Sequence, residues 1–572
     1  MIAEPVETLQ TEHLDAAIGR LQAHKDEWAT LPLPQKIALL VNIRDRLGKA
    51  AERWVAAAVA GKRLSPQSPL VAEEWSSGPW ATAEGINGLL ETLKAVHSDQ
   101  TPPFGAVRTR PNSQVVVEVF PRNGYDKLLT NGVSAEIWFN KNVHAGNVAD
   151  QSATFYRKEN PAGKVALVLG AGNISSIPPL DVLYKLYAEG EVVLLKMNPV
   201  NEYVGPILAD VFKPFVDSGF LEIVYGGAEV GEYLTTHDGI ETIHITGSAR
   251  THDAIVFGTG EDGEKRKRTN RPKNHRPITS ELGGVGPVIV MPGPWTDADI
   301  RYQAERIVSQ KLHNGGFNCI AAQVLILPNS WPLSGRLLDA IRELFAELPP
   351  RPAYYPGAEK RLAEAEASGG GSAELINGRV LVTDVNPIDT QHHCFTTEFF
   401  TAALAQTYID GVDSADYLRN AVQFANETLD GTLGAQLIIH PKTIKQLGEQ
   451  FEEALGKLRY GTIGVNIWSG TGFLLPGVAW GAYPGHKLND IESGRGVVHN
   501  SFLFENTQKN VVYGPFWESP RGMKHGYFGT LPKPPWFVTN KTADVTMERL
   551  TRFALDPSPK KLPGIFASAL RG

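Results

Sequence analysis

Apolar residues recur at helical spacing along the first part of the chain and then gather into short continuous runs. Leu33–Leu47 has the three-to-four-residue spacing clearly and Val71–Val96 less strictly, which predicts a helical region over residues 10–98. From about residue 106 the pattern changes to two β-rich segments, Gln114–Phe120 and Ala135–Phe139, separated by a turn. These two segments predict a hairpin or an extended arm rather than a packed α/β unit.

Continuous apolar runs alternate with helical segments over the middle of the chain. The predicted strands are Lys164–Leu169, Glu191–Lys196, Leu221–Tyr225, Thr242–Thr246, Pro287–Met291, Ala322–Leu327 and Gly434–Ile439. The first of them are separated by the predicted helices Pro179–Glu189 and Tyr203–Gly219. Unbroken Val/Ile/Leu strands with helices between them are typical of a parallel, doubly wound sheet. After about residue 505 the chain is rich in proline and aromatic residues, and we predict no periodic element there.

Composition indicates a globular chain and excludes several classes of protein. Of the 572 residues, 42% are hydrophobic and 20% charged, which is enough for more than one core. The net charge of −7 argues against a general nucleic-acid or anionic-membrane role. We expect a cytoplasmic protein, because no window is apolar enough to span a membrane and the first residues lack a signal segment. Two cysteines, Cys319 and Cys394, allow neither a disulfide framework nor a four-thiolate zinc site.

Three short blocks carry candidate chemistry. Leu169–Ile174 (LGAGNI) follows a predicted strand, and Asn173 would there be exposed at a sheet edge, where an amide can stabilise an oxyanion. This block lacks the GxGxxG spacing of the ordinary dinucleotide fingerprint. The other two blocks are Glu281-Leu-Gly-Gly and, ending at Cys319, HNGGFNC. Small residues before the cysteine would leave its thiol accessible, although most free cysteines are packing residues.

The order of these blocks resembles the aldehyde dehydrogenase superfamily. In chain order, the matching residues are Asn173, Lys196, Gly247, Ser248, Glu281, Cys319, Glu398 and Phe400. The resemblance covers about residues 20–500 and implies an α/β fold with a Rossmann-like cofactor domain, an α/β catalytic domain and a β-strand oligomerisation arm. The implied boundaries are 1–105 with 159–281 for the cofactor domain, 282–480 for the catalytic domain, and 106–158 with 481–510 for the arm. Residues 511–572 would form a C-terminal extension of unknown role.

The resemblance implies NAD(P)-dependent oxidation of an aldehyde to its carboxylic acid. Cys319 would attack the carbonyl to form a thiohemiacetal and, after hydride transfer, a thioester that Glu281 would help water to hydrolyse. The Asn173 side chain and the Cys319 backbone N–H would hold the oxyanion. The implied cofactor contacts are Lys196 to the adenosine ribose, Gly247 and Ser248 to the pyrophosphate, Glu398 to the nicotinamide ribose and Phe400 near the nicotinamide.

Some positions depart from the family pattern. His252 stands where members usually carry a glycine, which affects how a helix would meet the cofactor. Gly172 and Ser175 replace the usual tryptophan and proline around the asparagine. Pro199 stands where many NAD-preferring members carry a glutamate. Since that acid would repel a 2′-phosphate, its absence permits NADP without requiring it, and we expect NAD, with NADP as the alternative.

Four other segments have more than one interpretation. Lys265–Arg276 holds seven Lys or Arg residues in twelve and predicts a solvated surface loop, with a cofactor-phosphate or partner-binding loop as the alternative. The sequence has no further cluster of potential metal ligands at a suitable spacing from His392-His393-Cys394, so we predict no metal site there. Trp468 and Phe473–Leu475 are candidates for an apolar substrate tunnel or for plain core. The C-terminal extension is a candidate cover for a subunit interface or for that tunnel.

We expect a small-molecule aldehyde substrate, no nucleic-acid or membrane partner, and a homodimer or homotetramer. The oligomer is expected because the Val-rich strand of the arm would leave an exposed edge in a monomer. A CoA-acylating aldehyde dehydrogenase or acyl reductase remains open, since it would pass the thioester to or from a thiol on the same fold. Such enzymes commonly lack the glutamate that stands here at Glu281. A catalytically silent scaffold or binding protein is the alternative from another class.

Overall fold

Two β-sheets with helices on their faces build the protein, and a computed structural model describes residues 11–526 and 532–572. The described α-helices are α1 Glu12–Thr30, α2 Leu33–Gly61, α3 Val71–Trp75, α4 Ala81–His97, α5 Gly124–Leu129, α6 Ile177–Tyr184, α7 Gly205–Val211, α8 Lys213–Asp217, α9 Ala228–Thr236, α10 Ala249–Phe257, α11 Gly260–Arg268, α12 Asp297–Leu312, α13 Ser334–Glu347, α14 Ala358–Gly369, α15 His393–Thr396, α16 Ser414–Glu427, α17 Pro441–Leu447, α18 Glu449–Lys457, α19 Gly470–Leu474, α20 Ala543–Leu555 and α21 Leu562–Ala569. The described strands are β1 Val107–Thr109, β2 Val115–Phe120, β3 Ser134–Phe139, β4 Val165–Leu169, β5 Val192–Lys196, β6 Leu221–Val224, β7 Thr242–Gly247, β8 Ile278–Leu282, β9 Gly286–Val290, β10 Ala322–Pro328, β11 Ala373–Ile376, β12 Arg379–Val382, β13 Ala403–Ile409, β14 Gly434–Ile438, β15 Thr462–Val465, β16 Gly494–Arg495 and β17 Thr507–Tyr513.

The smaller sheet has six strands in the order β16-β8-β7-β4-β5-β6. All neighbours are parallel except β16, which pairs antiparallel with β8. The chain builds β4, β5 and β6 in one direction and then crosses to β7 and β8 on the other side of β4. Open α/β sheets bind ligands outside the carboxyl ends of their strands at such a reversal. The ends of β4 and β7 therefore mark the expected ligand cleft.

The larger sheet has eleven strands in the order β1-β2-β3-β17-β15-β14-β9-β10-β13-β12-β11. The strands from β17 to β12 run parallel, and the strands at both edges pair antiparallel. The central strands β9, β10 and β14 are fully buried, and separate apolar clusters pack on the sheet. The mixed fold with parallel sheets agrees with the predicted α/β class.

The strands predicted as an arm belong to this larger sheet. β17 pairs in parallel with β15 and antiparallel with β3, so the arm extends the sheet within one chain. β2 lies between β1 and β3, and the prediction that the Val-rich strand is an exposed edge in a monomer is therefore wrong. The edge itself is β1, which has three exposed residues. The assignment of residues 106–158 and 481–510 to subunit contact stays a prediction.

Two helices lie in the C-terminal extension, where we predicted no periodic element. Apolar positions of α20 repeat at helical spacing and include Ala543, Met547 and Ala554, all buried. Ala543 and Met547 pack on α2 and α3 in one apolar cluster, and Ala554 joins the larger cluster that includes α2 and α4. The amide of Asn87, in α4, donates to the Ala554 carbonyl at 2.8 Å. The extension is thus joined to the N-terminal helices.

The basic segment is partly helical. Residues 265–268 form the last turn of α11, so the loop prediction is wrong for this part of Lys265–Arg276. Acidic residues in the first turn and basic residues in the last turn both complement the helix dipole. Lys267 also forms an ion pair of 2.7 Å with Asp253. In the part of the chain described by the structure, no helix is both long and apolar enough to cross a bilayer.

Candidate active site

Cys319 lies in a tight loop between α12 and β10. The turn before it has left-handed backbone at Asn314, Gly315 and Gly316, with φ values of 54°, 69° and 83°. A Cβ at Gly316 would lie 2.5 Å from the Thr401 carbonyl oxygen, so this position requires glycine. The thiol is partly exposed and borders a cavity of about 40 Å³. The small residues of the block hold the cysteine against this cavity.

Glu281, near the end of β8, lines the same cavity. Its side chain is buried, and neither carboxylate oxygen makes a fully formed hydrogen bond within the described residues. Burial raises the pKa of Glu281 to about 7, and Asp181 adds to this rise. The nearby Cys319 thiol and Trp480 indole act in the opposite direction. A carboxyl group with a pKa near neutrality can accept and release a proton under physiological conditions.

The surroundings of the Cys319 thiol favour its protonated form. Its pKa is raised well above the usual range, first by burial and then by the carboxyl groups of Glu281 and Glu398. The sulfur is therefore protonated at neutral pH and needs a base to become a nucleophile. Glu281 is placed to be that base.

Asn173 is brought to the cysteine loop, where it binds backbone. Its side-chain N–H donates to the Phe317 carbonyl at 2.9 Å. The backbone carbonyl of Asn173 accepts from Asn314 Nδ2 and from the Tyr354 hydroxyl, each at 3.1 Å. The described lining of the thiol cavity includes Ile174 and omits Asn173. The oxyanion role of Asn173 stays a prediction.

A buried ion pair behind this loop was missed by the sequence analysis. Lys62 and Glu74 are 1% and 0% exposed, and the ammonium lies 2.9 Å from the carboxylate. Lys62 Nζ also donates to Asn314 Oδ1 at 3.1 Å, and the Tyr354 hydroxyl donates to the same oxygen. The pair therefore positions the asparagine that supports both Asn173 and the cysteine loop. The only local signal was two acidic residues, at 73 and 74, inside an apolar helical segment.

Gly247 and Ser248, the residues predicted to receive the pyrophosphate, lie where β7 ends and α10 begins. Gly247 ends β7, and Ser248 caps α10 by accepting the Thr251 N–H at 3.2 Å. Both residues are exposed, so the helix N-terminus opens to solvent at the strand-order reversal. Backbone N–H groups and the helix dipole favour an anion there. His252, the residue in the place of a glycine, is fully buried with Nδ1 3.3 Å from the Asp253 carboxylate.

Lys196 ends β5 at the same edge of the sheet. Burial lowers the pKa of its ammonium, and Glu229 and Glu202 act in the opposite direction. The ammonium donates to the Met197 carbonyl at 3.4 Å, a long bond that leaves donor capacity for hydroxyl groups. This chemistry fits a ribose.

Glu398 approaches the backbone of the Glu281 block. A Cβ at Gly283 would lie 2.1 Å from Glu398 Oε1, so the glycine makes room for this carboxyl group. Burial raises the pKa of Glu398 to about 8, although the cations Lys311 and Arg361 oppose the rise. Burial likewise lowers the pKa of Lys311 to about 7. Lys311 is a second buried charge that the sequence analysis did not identify.

Phe400 has left-handed backbone, with φ of 43°. Its ring lies 5.9 Å from that of Phe317 and 5.0 Å from that of Tyr355. The structure thus joins Phe400 to the cysteine loop through aromatic contacts.

A family model for the aldehyde dehydrogenase family matches residues 137–354. This segment contains Asn173, the Glu281 block and Cys319 in the predicted order. Residues 137–354 belong to the aldehyde dehydrogenase family. The resemblance found in the sequence is confirmed.

Two curated aldehyde dehydrogenases are similar to part of the chain. N-succinylglutamate 5-semialdehyde dehydrogenase of Novosphingobium aromaticivorans is 28% identical over 188 residues, which are 33% of this chain and 36% of that protein. Coniferyl aldehyde dehydrogenase of a Pseudomonas species is 27% identical over 226 residues, 38% of this chain and 43% of that protein. The matched segment thus spans less than half the length of these relatives.

Solved aldehyde dehydrogenase structures share the fold over most of the chain. NADP-dependent glyceraldehyde-3-phosphate dehydrogenase from Bacillus halodurans, complexed with NADP, has a TM-score of 0.58 at 18% identity, covering 88% of this chain and 92% of that one. An aldehyde dehydrogenase of Pseudomonas syringae, complexed with NAD+ and octanal, has a TM-score of 0.57 at 16% identity, with 88% and 89% covered. The aldehyde dehydrogenase fold is therefore confirmed.

Two remaining segments have structural contacts. His392 caps α15 by accepting the Cys394 N–H at 3.2 Å, and the Cys394 sulfur lies 3.5 Å from the Ser368 hydroxyl. Over residues 11–526 and 532–572, no group of three His, Cys, Asp or Glu side chains is arranged to hold a metal ion. Trp468 and Phe473 both line the thiol cavity, as a tunnel would require, and both also join its apolar cluster.

Proposed function

We propose that this chain is an NAD(P)-dependent aldehyde dehydrogenase that oxidises an aldehyde to its carboxylic acid. The observation that carries the proposal is the pairing of the partly exposed Cys319 thiol with the buried Glu281 carboxyl group in one cavity. A nucleophile that needs deprotonation and a base with a pKa of about 7 are the two groups that thioester chemistry requires.

The proposed reaction uses these groups twice. Glu281 takes the thiol proton, and the Cys319 sulfur bonds to the carbonyl carbon to give a thiohemiacetal. The Asn173 amide and the Cys319 N–H hold the oxyanion. A bound NAD+ would supply the hydride acceptor through which the thiohemiacetal becomes a thioester. Glu281 passes the thiol proton to solvent and is then free to remove a proton from water as the water attacks. The C–S bond breaks, the Cys319 thiolate takes this second proton from Glu281, and the carboxylic acid leaves.

The cofactor would lie along the strand-order reversal. Lys196 would bind the adenosine ribose, and Gly247 with Ser248 at the start of α10 would receive the pyrophosphate. Glu398 would contact the nicotinamide ribose, with Phe400 nearby. The fit rests on the exposed N-terminus of α10 and on the donor capacity of the Lys196 ammonium.

NAD is the preferred coenzyme in this proposal. Pro199 supplies no acid beside the ribose, but Glu202 and Glu229 both act on the Lys196 ammonium. Two carboxylates close to this lysine would repel a 2′-phosphate. One related solved structure is complexed with NADP and another with NAD+, so the preference is argued from the residues of this chain.

The experiment measures NADH formation with a panel of aldehydes. Cys319→Ala should abolish NADH formation, because no thiohemiacetal can form. Glu281→Gln should slow release of the first NADH, because the Cys319 thiol loses its base, and should slow hydrolysis of the thioester to at most a hundredth of the native rate. Glu281→Gln with full turnover to the free acid would contradict the hydrolytic function.

Adding CoA to the same assay separates hydrolysis of the thioester from transfer of the acyl group to CoA. Native enzyme that forms acyl-CoA faster than free acid when CoA is supplied would establish the acylating alternative. Activity unchanged by Cys319→Ala would favour the scaffold. A buried carboxyl base beside the thiol favours hydrolysis over both.

We further propose a cytoplasmic enzyme that forms a homodimer or homotetramer. A reducing compartment keeps the Cys319 thiol free for catalysis. The open edge at β1 is the strand available for pairing with a second copy. Light scattering of the purified protein measures the assembly directly, and a monomer at micromolar concentration would contradict it.

A further inference from the structure

A large apolar cavity lies next to the thiol cavity, and the C-terminal extension closes it. Its volume is about 220 Å³, compared with about 40 Å³ around Cys319. The walls contributed by the extension include Trp536, Met547, Leu550, Phe553, Ile565 and Phe566. We call this space the tail compartment.

The tail compartment and the thiol cavity share walls. Ser76 and Leu474 line both of them. α19 lies between the two, with Phe473 facing the thiol cavity and Thr471 facing the tail compartment. A substrate that fills the thiol cavity therefore lies beside the tail compartment, with α19 lining both spaces.

The extension also reaches the apolar cluster around the nucleophile. The ring of Trp536 lies 5.7 Å from that of Trp468, and both pack with the cluster that contains Ile320 and contacts Cys319. Trp468 donates its indole N–H to the Ile320 carbonyl at 3.2 Å. The extension thus contributes Trp536 to the cluster that contacts Cys319, and it also lines the tail compartment.

The charged groups in the walls are bound to other protein groups. Arg122 pairs with Glu84 at 2.6 Å and with Asp126 at 3.2 Å. Arg306 donates to the Gln303 side chain at 2.7 Å and to the Pro515 carbonyl at 2.9 Å. Arg122 Nη1 and Arg306 Nε have no hydrogen-bond partner among the described residues, but most of the lining surface is apolar.

We propose that the tail compartment holds the hydrocarbon part of the substrate, so that the enzyme prefers aldehydes with a long or bulky apolar body. This inference rests on the proposed function, because it concerns the substrate of the same thiol. A cavity of about 150 Å³ lined by aliphatic and aromatic side chains accepts benzene. The tail compartment exceeds that size, while the thiol cavity holds the carbonyl group and its first carbons. The extension is then the element that determines substrate length.

The test measures kcat/KM for straight-chain aldehydes from propanal to dodecanal. In the native enzyme kcat/KM should rise by up to about fourfold for each added methylene until the compartment is full. Leu550→Trp fills the compartment from α20, and the ratio of kcat/KM for decanal to that for propanal should fall about tenfold or more. Val545→Trp is the matched control, because it adds the same side chain at an exposed position of the same helix. Its ratio should stay within about twofold of the native value.

A binding measurement keeps the inference separate from the proposed function. In Cys319→Ala, 1-decanol should raise the Tm, and Leu550→Trp added to that variant should abolish the rise. No oxidation of any aldehyde would contradict the proposed function, and a 1-decanol effect would still support the compartment. Flat kcat/KM across chain length, or an equal change in both tryptophan variants, would overturn the inference. Preference for an aldehyde carrying a terminal carboxylate would also overturn it and would indicate an anion site at Arg306.

Discussion

The proposed base can be tested through Trp480, whose indole N–H lowers the pKa of Glu281. A hydrogen bond to a charged group is worth about 1.5–3 kcal/mol, and one pKa unit corresponds to about 1.4 kcal/mol. The indole contact is not a fully formed hydrogen bond, so we take the lower end. Trp480→Phe should therefore raise the pKa of Glu281 from about 7 to about 8.

The shift has a defined effect on the rate. Only ionised Glu281 can remove a proton from water, so hydrolysis of the thioester rises with pH through this pKa. At pH 7 the ionised fraction falls from about one half to about one tenth in the variant, which gives about a fivefold slower hydrolysis. Above pH 9 both forms are ionised and the two rates should converge.

The assay follows release of the carboxylic acid in single turnovers between pH 5.5 and pH 9.5. Trp468→Phe is the control, because that indole lines the same cavity but donates to the Ile320 carbonyl. It should leave the midpoint of the profile unchanged. A midpoint that stays in place in Trp480→Phe, or moves equally in the control, would refute the assignment of Glu281 as the base.

Two further variants test the buried ion pair and the coenzyme preference. Lys62→Met removes the ion-pair partner of Glu74 and should cost about 3 kcal/mol of unfolding free energy, the lower end of the usual range because Arg351 still acts on Glu74. Adding Glu74→Leu should restore much of the Tm in calorimetry, and a double variant as unstable as the single one would contradict this reasoning. Glu202→Gln with Glu229→Gln should raise kcat/KM for NADP about tenfold while that for NAD changes less than about twofold. Equal changes for both coenzymes would contradict the proposed NAD preference.

Four of the six described strands of the smaller sheet, β4 to β7, could be predicted to within one residue at each end, and β8 and β16 were not predicted. Lys164–Leu169 was predicted for β4, which spans Val165–Leu169, and Glu191–Lys196 for β5, which spans Val192–Lys196. Both strands are buried on two faces, so nearly every residue must be apolar. A local pattern is sufficient when burial is this complete.

The candidate site was only partly predictable. Cys319 and Glu281 lie in short blocks whose glycines identify close backbone approaches, and the structure places both at one cavity. Trp480 and the pair Lys62–Glu74 come from distant segments with no distinctive local pattern. Their proximity to the site arises from tertiary contacts, which single-sequence periodicity does not report.

The C-terminal helices show a different limit. The apolar spacing of Ala543, Met547, Leu550 and Ala554 is present in the sequence, but α20 is short and follows a long proline- and aromatic-rich stretch. The pairing of the arm strands was missed for a related reason, because the partner of β3 is β17, far along the chain. Pairing between distant segments depends on the whole fold.

The contact between α20 and the N-terminal helices also affects how the chain folds during synthesis. Asn87 binds Ala554 across 467 residues, and Glu52 binds Arg552 across 500. At about 5–20 residues per second, the N-terminal half of this interface waits roughly 25 to 95 s for its other half to leave the ribosome. The apolar surfaces of α2 and α3 that α20 finally covers are therefore exposed to other nascent chains and to chaperones for most of that time.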